Sequence, residues 1–184
     1  MNYFALNAKV HAMYGSAKSG EGVSYAFCRT QILRWVQDKK LRSFIADVFP
    51  MESVWRDIAH FMHVWARLHR LDRANRNALI PAMGAEIDLT NIVWMYRLKK
   101  FYGVTGSEVF GRLIPVRYRL SEGEMRTIAQ AKDVEVPSMY ASVLQDFTQP
   151  EQKIRREIAR LYKKQARLHP QSLANVCALL RMME

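Results

Sequence analysis

Two carboxylates and a carboxamide lie close together in the segment GAEIDLTNIVWMYRLKKFYGV, residues 84–104. If their side chains converged, Glu86, Asp88 and Asn91 could hold a metal ion or act as a general acid and base. On a helix, however, Glu86 and Asp88 point about 200° apart, so they cannot share a proton or an ion directly. Asp88 and Asn91 do share a face. We therefore predict buried polar side chains that bond neighbouring elements, with Asp88 meeting an arginine of another helix or a helix end near Pro81.

Other patterns that carry chemistry are weak or missing. His60 and His63 share a helical face, but zinc needs three or four ligands and no HExxH pattern occurs. Neither Cys28 nor Cys177 has polar neighbours in sequence that would activate a thiol, and the GxSxG elbow of hydrolases does not occur. The loop GSAKSGEG at 15–22 lacks the phosphate-binding spacing GxxxxGK[ST]. We predict no catalytic, metal-binding or cofactor-binding residues.

The composition is that of a globular, basic protein. The chain has 184 residues, of which 49% are hydrophobic and 24% charged, and its formal net charge is +11. This excess favours an anionic partner, which could be nucleic acid, an acidic membrane surface or an acidic protein face. Both cysteines are flanked by residues with a helical pattern, so we expect buried free thiols and a reducing compartment. No apolar run approaches the roughly 20 residues that span a bilayer, and no signal peptide is visible.

The basic residues are concentrated near the C-terminus. Residues 151–184 contain eight lysines and arginines against three glutamates. Such charges usually form the solvated face of an amphipathic helix, and no nucleic-acid-reading motif accompanies them. A basic helical nucleic-acid-binding module nevertheless remains the alternative interpretation, because a basic helix can neutralise phosphates.

The hydrophobic pattern is helical almost throughout, so we predict an all-α protein. In residues 51–68 apolar side chains recur at spacings of three and four, which makes one wide apolar stripe. Pro81 should kink or split the helix that contains it. The predicted helices lie near 2–14, 23–48, 51–70, 73–101, 106–113, 122–132, 137–146, 149–168 and 171–183.

Three helix starts match the capping box, in which a hydroxyl and an acid three residues later bond each other's backbone N–H groups. The three pairs are Thr105 with Glu108, Ser121 with Glu124, and Thr148 with Glu151. The polar stretch at 15–22 predicts a flexible connector. We therefore expect an N-terminal helix at 1–14 and a helical domain at 23–184.

The central segment resembles a known family. EIDLTNIVWMYRLKKFY, followed by LIPVRYRLS and IAQAKDVE, is similar to the middle of the C/d subunit of rotary V-type ATPases, the AC39 family. The opening YFALNAKVHAMYG and the closing HPQSLANVCALLRMME are similar to the first and last helices of that family. The matching central residues are Glu86, Ile87, Asp88, Leu89, Asn91, Ile92, Arg97, Lys99, Pro115, Leu120 and Ser121.

The resemblance implies a multi-helix bundle that works as a non-catalytic socket. Subunits of that family sit on the cytoplasmic end of the membrane rotor ring and receive the foot of the central shaft, while ATP is hydrolysed elsewhere. They are longer than this chain and form a funnel from three related helical units, so we expect a shortened relative or a fragment. We expect no enzymatic activity and no cofactor, a location on the cytoplasmic face of the membrane, and rotor-ring and shaft subunits as partners.

Two sets of residues follow from this interpretation. Glu86, Asp88, Asn91 and Arg97 are expected to specify the fold rather than to catalyse a reaction. An acidic shaft is expected to meet the basic surface formed by Arg155, Arg156, Lys163 and Lys164.

Overall fold

The computed structural model describes residues 1–19, 23–51, 57–104 and 106–184. Within these ranges the chain forms helices and no strand, which confirms the predicted all-α class. None of the described helices is both long and apolar enough to cross a membrane. The helices are α1 (Tyr3–Ser19), α2 (Tyr25–Trp35), α3 (Lys39–Val48), α4 (Ile58–Leu68), α5 (Arg73–Tyr102), α6 (Gly106–Gly111), α7 (Glu122–Gln130), α8 (Ser138–Ala141), α9 (Pro150–Leu168) and α10 (Ala174–Met183).

The longest helix, α5, lies antiparallel to α9. A salt bridge joins Arg97 near the end of α5 to Glu151 at the start of α9. At the opposite end, the Asn75 side chain at the start of α5 accepts a hydrogen bond of 2.8 Å from the Leu173 N–H, just before α10. With 30 residues α5 is about 45 Å long. Helix α10 packs against α1, α2, α5 and α9, and its residues 174–181 are all buried.

Several helix boundaries differ from the prediction. The predicted helix at 23–48 is two helices, because the Asp38 carboxylate accepts the N–H groups of Lys40 and Leu41 and starts α3. Helix α1 continues to Ser19, so residues 15–19 of the predicted connector are helical. Helix α5 runs through Pro81 without being split. Residues 52–56 of the predicted helix 51–70 lie outside the described residues, and α4 begins after Asp57, whose carboxylate caps it.

The three predicted capping boxes have different outcomes. The box of Ser121 and Glu124 is confirmed, since each side chain bonds the other residue's backbone N–H. The predicted capping box of Thr148 with Glu151 is wrong. Helix α9 instead begins with Pro150 after Gln149, a left-handed residue with φ 46°, and the Thr148 N–H donates to Asp146. Thr105 lies outside the described residues.

The two cysteines are buried free thiols, as predicted. Cys28 is part of α2 and Cys177 part of α10, and both side chains belong to the main hydrophobic core. Burial raises the pKa of the Cys177 thiol to about 12. A thiol with such a pKa stays protonated at neutral pH, so Cys177 behaves as a small apolar core residue.

The connection between α6 and α7 packs closely against the middle of α5. The side chain of Tyr118 in this connection packs directly on Gly84 in the middle of α5. A Cβ atom at Gly84 would lie only 2.2 Å from the Tyr118 ring, which is far inside van der Waals contact. Any larger residue at position 84 therefore has to displace the tyrosine or the connection that carries it.

We expect the substitution Gly84→Ala to lower the free energy of unfolding by about 1–3 kcal/mol, because the added methyl group overpacks the contact with Tyr118. The matched control is Gly123→Ala in α7, where a Cβ atom meets nothing within 4 Å. This control should leave stability unchanged or raise it by up to about 1 kcal/mol, since alanine favours helix. Urea unfolding of both variants measures the difference. Equal changes in the free energy of unfolding would show that the contact between Gly84 and Tyr118 is not as tight as described.

Candidate functional site

The polar side chains singled out in the sequence project from the buried middle of α5. Asp88 and Asn91 have no exposed surface, and Glu86 is only 7% exposed. They do not converge on one point. Asp88 and Asn91 bond the connection between α6 and α7, whereas Glu86 pairs with α10. No group of three or more metal-ligating side chains occurs among the described residues.

Asp88 bonds both the connection between α6 and α7 and a tyrosine of α8. Its Oδ2 atom accepts hydrogen bonds from the N–H groups of Arg119 at 2.9 Å and Leu120 at 3.3 Å, and from the hydroxyl of Tyr140 at 2.7 Å. These partners differ from the expected arginine side chain or helix end near Pro81. Asp88 thus supplies acceptors to a backbone segment that has no helical hydrogen bonds of its own.

The environment of Asp88 changes its ionisation. Burial raises the pKa of Asp88, although the hydrogen bonds from Tyr140 and the backbone offset part of this effect. Burial and the contact with Asp88 also raise the pKa of Tyr140, so this hydroxyl remains a hydrogen-bond donor. The Oδ1 atom of Asp88 is buried without a hydrogen-bond partner among the described residues. The neutral carboxyl is therefore favoured more than in water.

Asn91 bonds both polar groups of one residue. Its Oδ1 atom accepts the Ile114 N–H at 2.8 Å, and its Nδ2 group donates to the Ile114 carbonyl at 3.1 Å. A carboxamide is suited to this task because it carries a donor and an acceptor side by side. Asn91, Asp88 and Gly84 lie along one side of α5, and together they contact residues 114–120.

Glu86 forms an ion pair in the interior. Its carboxylate lies 2.8 Å from a guanidinium nitrogen of Arg181 in α10, and Arg181 is 3% exposed and also pairs with Glu184. Burial by itself would lower the pKa of Arg181, but the two carboxylates raise it overall, so the arginine stays charged. Removing Arg181 would take the cation away from two carboxylates at once, which is strongly destabilising for buried charges.

Arg97 differs from the other three predicted residues. Its side chain is 44% exposed and pairs with Glu151, which is 52% exposed. Exposed ion pairs of this kind contribute about 0–1 kcal/mol. Arg97 therefore joins α5 to α9 at the surface and has no buried partner comparable to that of Glu86.

A groove of about 500 Å³ lies beside the Glu86–Arg181 pair. Thr90 and Trp94 of α5, Phe61 of α4 and Ile154 of α9 contribute to its walls. The ring of Trp94 meets that of Phe61 edge-on at 6.3 Å. The charged side chains that line the groove include two ion pairs, Glu86 with Arg181 and Arg97 with Glu151.

The predicted basic surface lies on the exposed side of α9, and all four of its residues are exposed. Two of them have contacts within the protein. Arg155 donates to the Glu184 carbonyl at 2.7 Å, and the Lys163 ammonium group lies 5.3 Å from the ring centre of Tyr14 in α1. Arg156 and Lys164 extend from the same helix into solvent and leave their charge available to a partner.

Two further polar side chains of α5 bond the ends of other helices. Asn75 accepts the Leu173 N–H and donates to the Tyr3 hydroxyl at 2.6 Å. Lys99 donates to the carbonyls of Ile128 and Ala131, each at 2.6 Å, and so caps the C-terminal end of α7. The role of Asn75 was not predicted from the sequence, and Lys99 was singled out only by the family resemblance. Only the position of Asn75 near the start of a predicted helix could have suggested that its side chain bonds a helix end.

Comparison with protein families gives one match. The family described as ATP synthase (C/AC39) subunit matches residues 33–184. This range contains α3–α10 and therefore includes the polar contacts of α5 described above except the one with Tyr3. Comparison with curated proteins and with solved structures gives no significant match.

We expect Asp88→Ala to lower the free energy of unfolding by about 1–3 kcal/mol, because two backbone N–H groups and a hydroxyl lose their acceptor. Asp88→Asn keeps an acceptor oxygen and should cost less. The matched control is Glu135→Gln, an exposed acid whose loss should leave stability unchanged. Thermal unfolding of the three variants measures these differences, and a wild-type melting temperature for Asp88→Ala would exclude the proposed role.

The raised pKa of Asp88 makes the free energy of unfolding depend on pH. Between the ordinary value of 3.8 and the raised value, the folded protein binds more protons at Asp88 than the unfolded chain does. The contribution of Asp88 to the free energy of unfolding therefore falls as pH rises through this window. The stability advantage of wild type over Asp88→Asn should be largest at low pH and shrink toward neutral pH. Urea titrations at several pH values test this, and an advantage that grows with pH would contradict it.

Proposed function

Because the chain belongs to the ATP synthase (C/AC39) subunit family of V-type ATPase subunits, we propose that it is a non-catalytic central-stalk subunit. In this role it forms a helical socket that couples the shaft to the membrane rotor ring and lies peripherally on the cytoplasmic face of the membrane. The family match over residues 33–184 is the observation that carries the proposal. No observation favours the nucleic-acid alternative.

The arrangement of α5 supports a mechanical role. Its buried polar side chains bond the connection at 114–120 and helix α10, while Asn75 and Lys99 bond segments near its two ends. A load applied to one end of a helix 45 Å long is then shared with several other elements. Closely packed interiors transmit strain because they have low compressibility.

The first experiment is a pull-down of the tagged protein from membranes of its source, at low and moderate salt. Proteins and nucleic acids in the eluate are both identified. The proposal requires recovery of rotor-ring and central-shaft subunits that persists at moderate salt. Recovery of nucleic acid alone, lost steeply as salt rises, would favour the basic nucleic-acid-binding alternative instead.

The basic surface of α9 is proposed to meet an acidic face of the shaft. We expect the double reversal Arg156→Glu and Lys164→Glu to weaken shaft binding on the order of ten-fold, since charge reversal at an interface replaces attraction with repulsion. These two side chains are chosen because Arg155 and Lys163 also make contacts within the protein. Binding to purified shaft subunit at two salt concentrations measures the effect.

The matched control is Lys39→Glu and Lys40→Glu, which makes the same change in net charge on exposed residues of α3. Both substitutions fall in the first turn of α3, where acids favour the helix. If this control weakens shaft binding as much as the α9 variant, net charge rather than the α9 surface determines affinity. Unchanged binding in the α9 variant would exclude α9 as the contact.

A further inference from the structure

Two large apolar side chains extend into solvent at the end of the molecule where α5 begins. Phe4 of α1 is 88% exposed, and Leu168 at the end of α9 is 61% exposed. Hydrogen bonds place both at this end. The Tyr3 hydroxyl accepts from Asn75 at the start of α5, and Asn7 donates to the carbonyl of Pro170 at 2.9 Å. Phe4 and Leu168 therefore belong to one surface.

This surface also carries unpaired positive charge. Arg70 and Arg73 lie where α4 meets α5, and Arg167 lies in the last turn of α9 beside Leu168. All three are exposed, and none forms an ion pair with another described residue. Two acids, Asp72 and Asp38, lie near Tyr3 and are engaged as the N-caps of α5 and α3. We call the surface formed by Phe4, Arg70, Arg73, Arg167 and Leu168 the basic end.

We propose that the basic end binds the anionic lipid headgroups of a membrane surface. The residue types of the basic end match this partner. Apolar side chains surrounded by arginines are typical of protein surfaces that bind at the interface between water and the lipid hydrocarbon. Phe4 and Leu168 enter the headgroup region, while the guanidinium groups bond lipid phosphates. Basic residues close to an anionic leaflet add affinity that decreases with salt. The inference is independent of the shaft-and-ring proposal.

The opposite end of α5 supplies a matched control. Phe101 and Tyr102 are 69% and 74% exposed there, and the exposed Lys100 precedes them. This end therefore also presents two large exposed apolar side chains, whereas the nearby Arg97 is paired with Glu151. A general affinity of exposed apolar side chains for lipid would involve both ends equally, whereas the proposed site involves only the basic end.

The test is flotation of the purified protein with vesicles of phosphatidylcholine alone or mixed with phosphatidylglycerol. Wild type should float with the mixed vesicles at low salt and not with phosphatidylcholine alone. The double variant Phe4→Ala and Leu168→Ala should lose on the order of ten-fold in apparent affinity, because it removes the inserting side chains. The control Phe101→Ala and Tyr102→Ala should bind like wild type. Circular dichroism verifies that both variants fold.

Three results would overturn the proposal: no binding to mixed vesicles, equal binding to phosphatidylcholine vesicles, or equal loss in both double variants. Capture of a purified ATPase subunit that depends on Phe4 and Leu168, without binding to vesicles, would identify the basic end as a protein contact and would also overturn it. Failure of vesicle binding combined with recovery of rotor-ring and shaft subunits would refute only the lipid contact. The central-stalk proposal would then stand.

Discussion

The structure depends on the cost of burying polar groups without hydrogen-bond partners, which is several kcal/mol for each such group in an apolar surrounding. Residues 114–120 connect two helices without forming one, so their backbone groups need acceptors and donors from elsewhere. Asp88 and Asn91 supply them from the buried side of α5. The need is mutual, because these two buried side chains make most of their hydrogen bonds with this connection. We infer that this exchange sets the register of the connection along α5.

The same principle acts at other points of α5. Asn75 bonds the backbone just before α10, Lys99 bonds the last carbonyls of α7, and Glu86 neutralises Arg181. One helix therefore satisfies groups from several elements, and displacing it would break polar contacts in many places at once. This arrangement suits a part that must keep its shape under load, whereas a catalytic site would require polar side chains that converge on one reacting atom.

The sequence predicted the features that depend on local patterns. Apolar periodicity predicted the all-α class, and the serine–glutamate spacing predicted the cap at Ser121. The features that it did not predict depend on residues distant in sequence. A glycine inside a helix gives no sign that a tyrosine 34 positions later packs on it, as Tyr118 does on Gly84. The partners of Asp88 lie 31–52 positions away, so its spacing suggested a buried role but not which groups it bonds.

The N-terminal helix lies outside the family match, yet it completes the core of the matched region. Leu6, Val10 and Met13 of α1 are buried in the same core as α10, whose residues 174–181 have almost no exposed surface. Without α1, the apolar side chains of α10 would face water on one side, at a cost that grows with the area exposed. Because α1 must therefore dock on α10, Phe4 is held beside the end of α9. The basic end thus combines a residue from outside the matched region with arginines from within it.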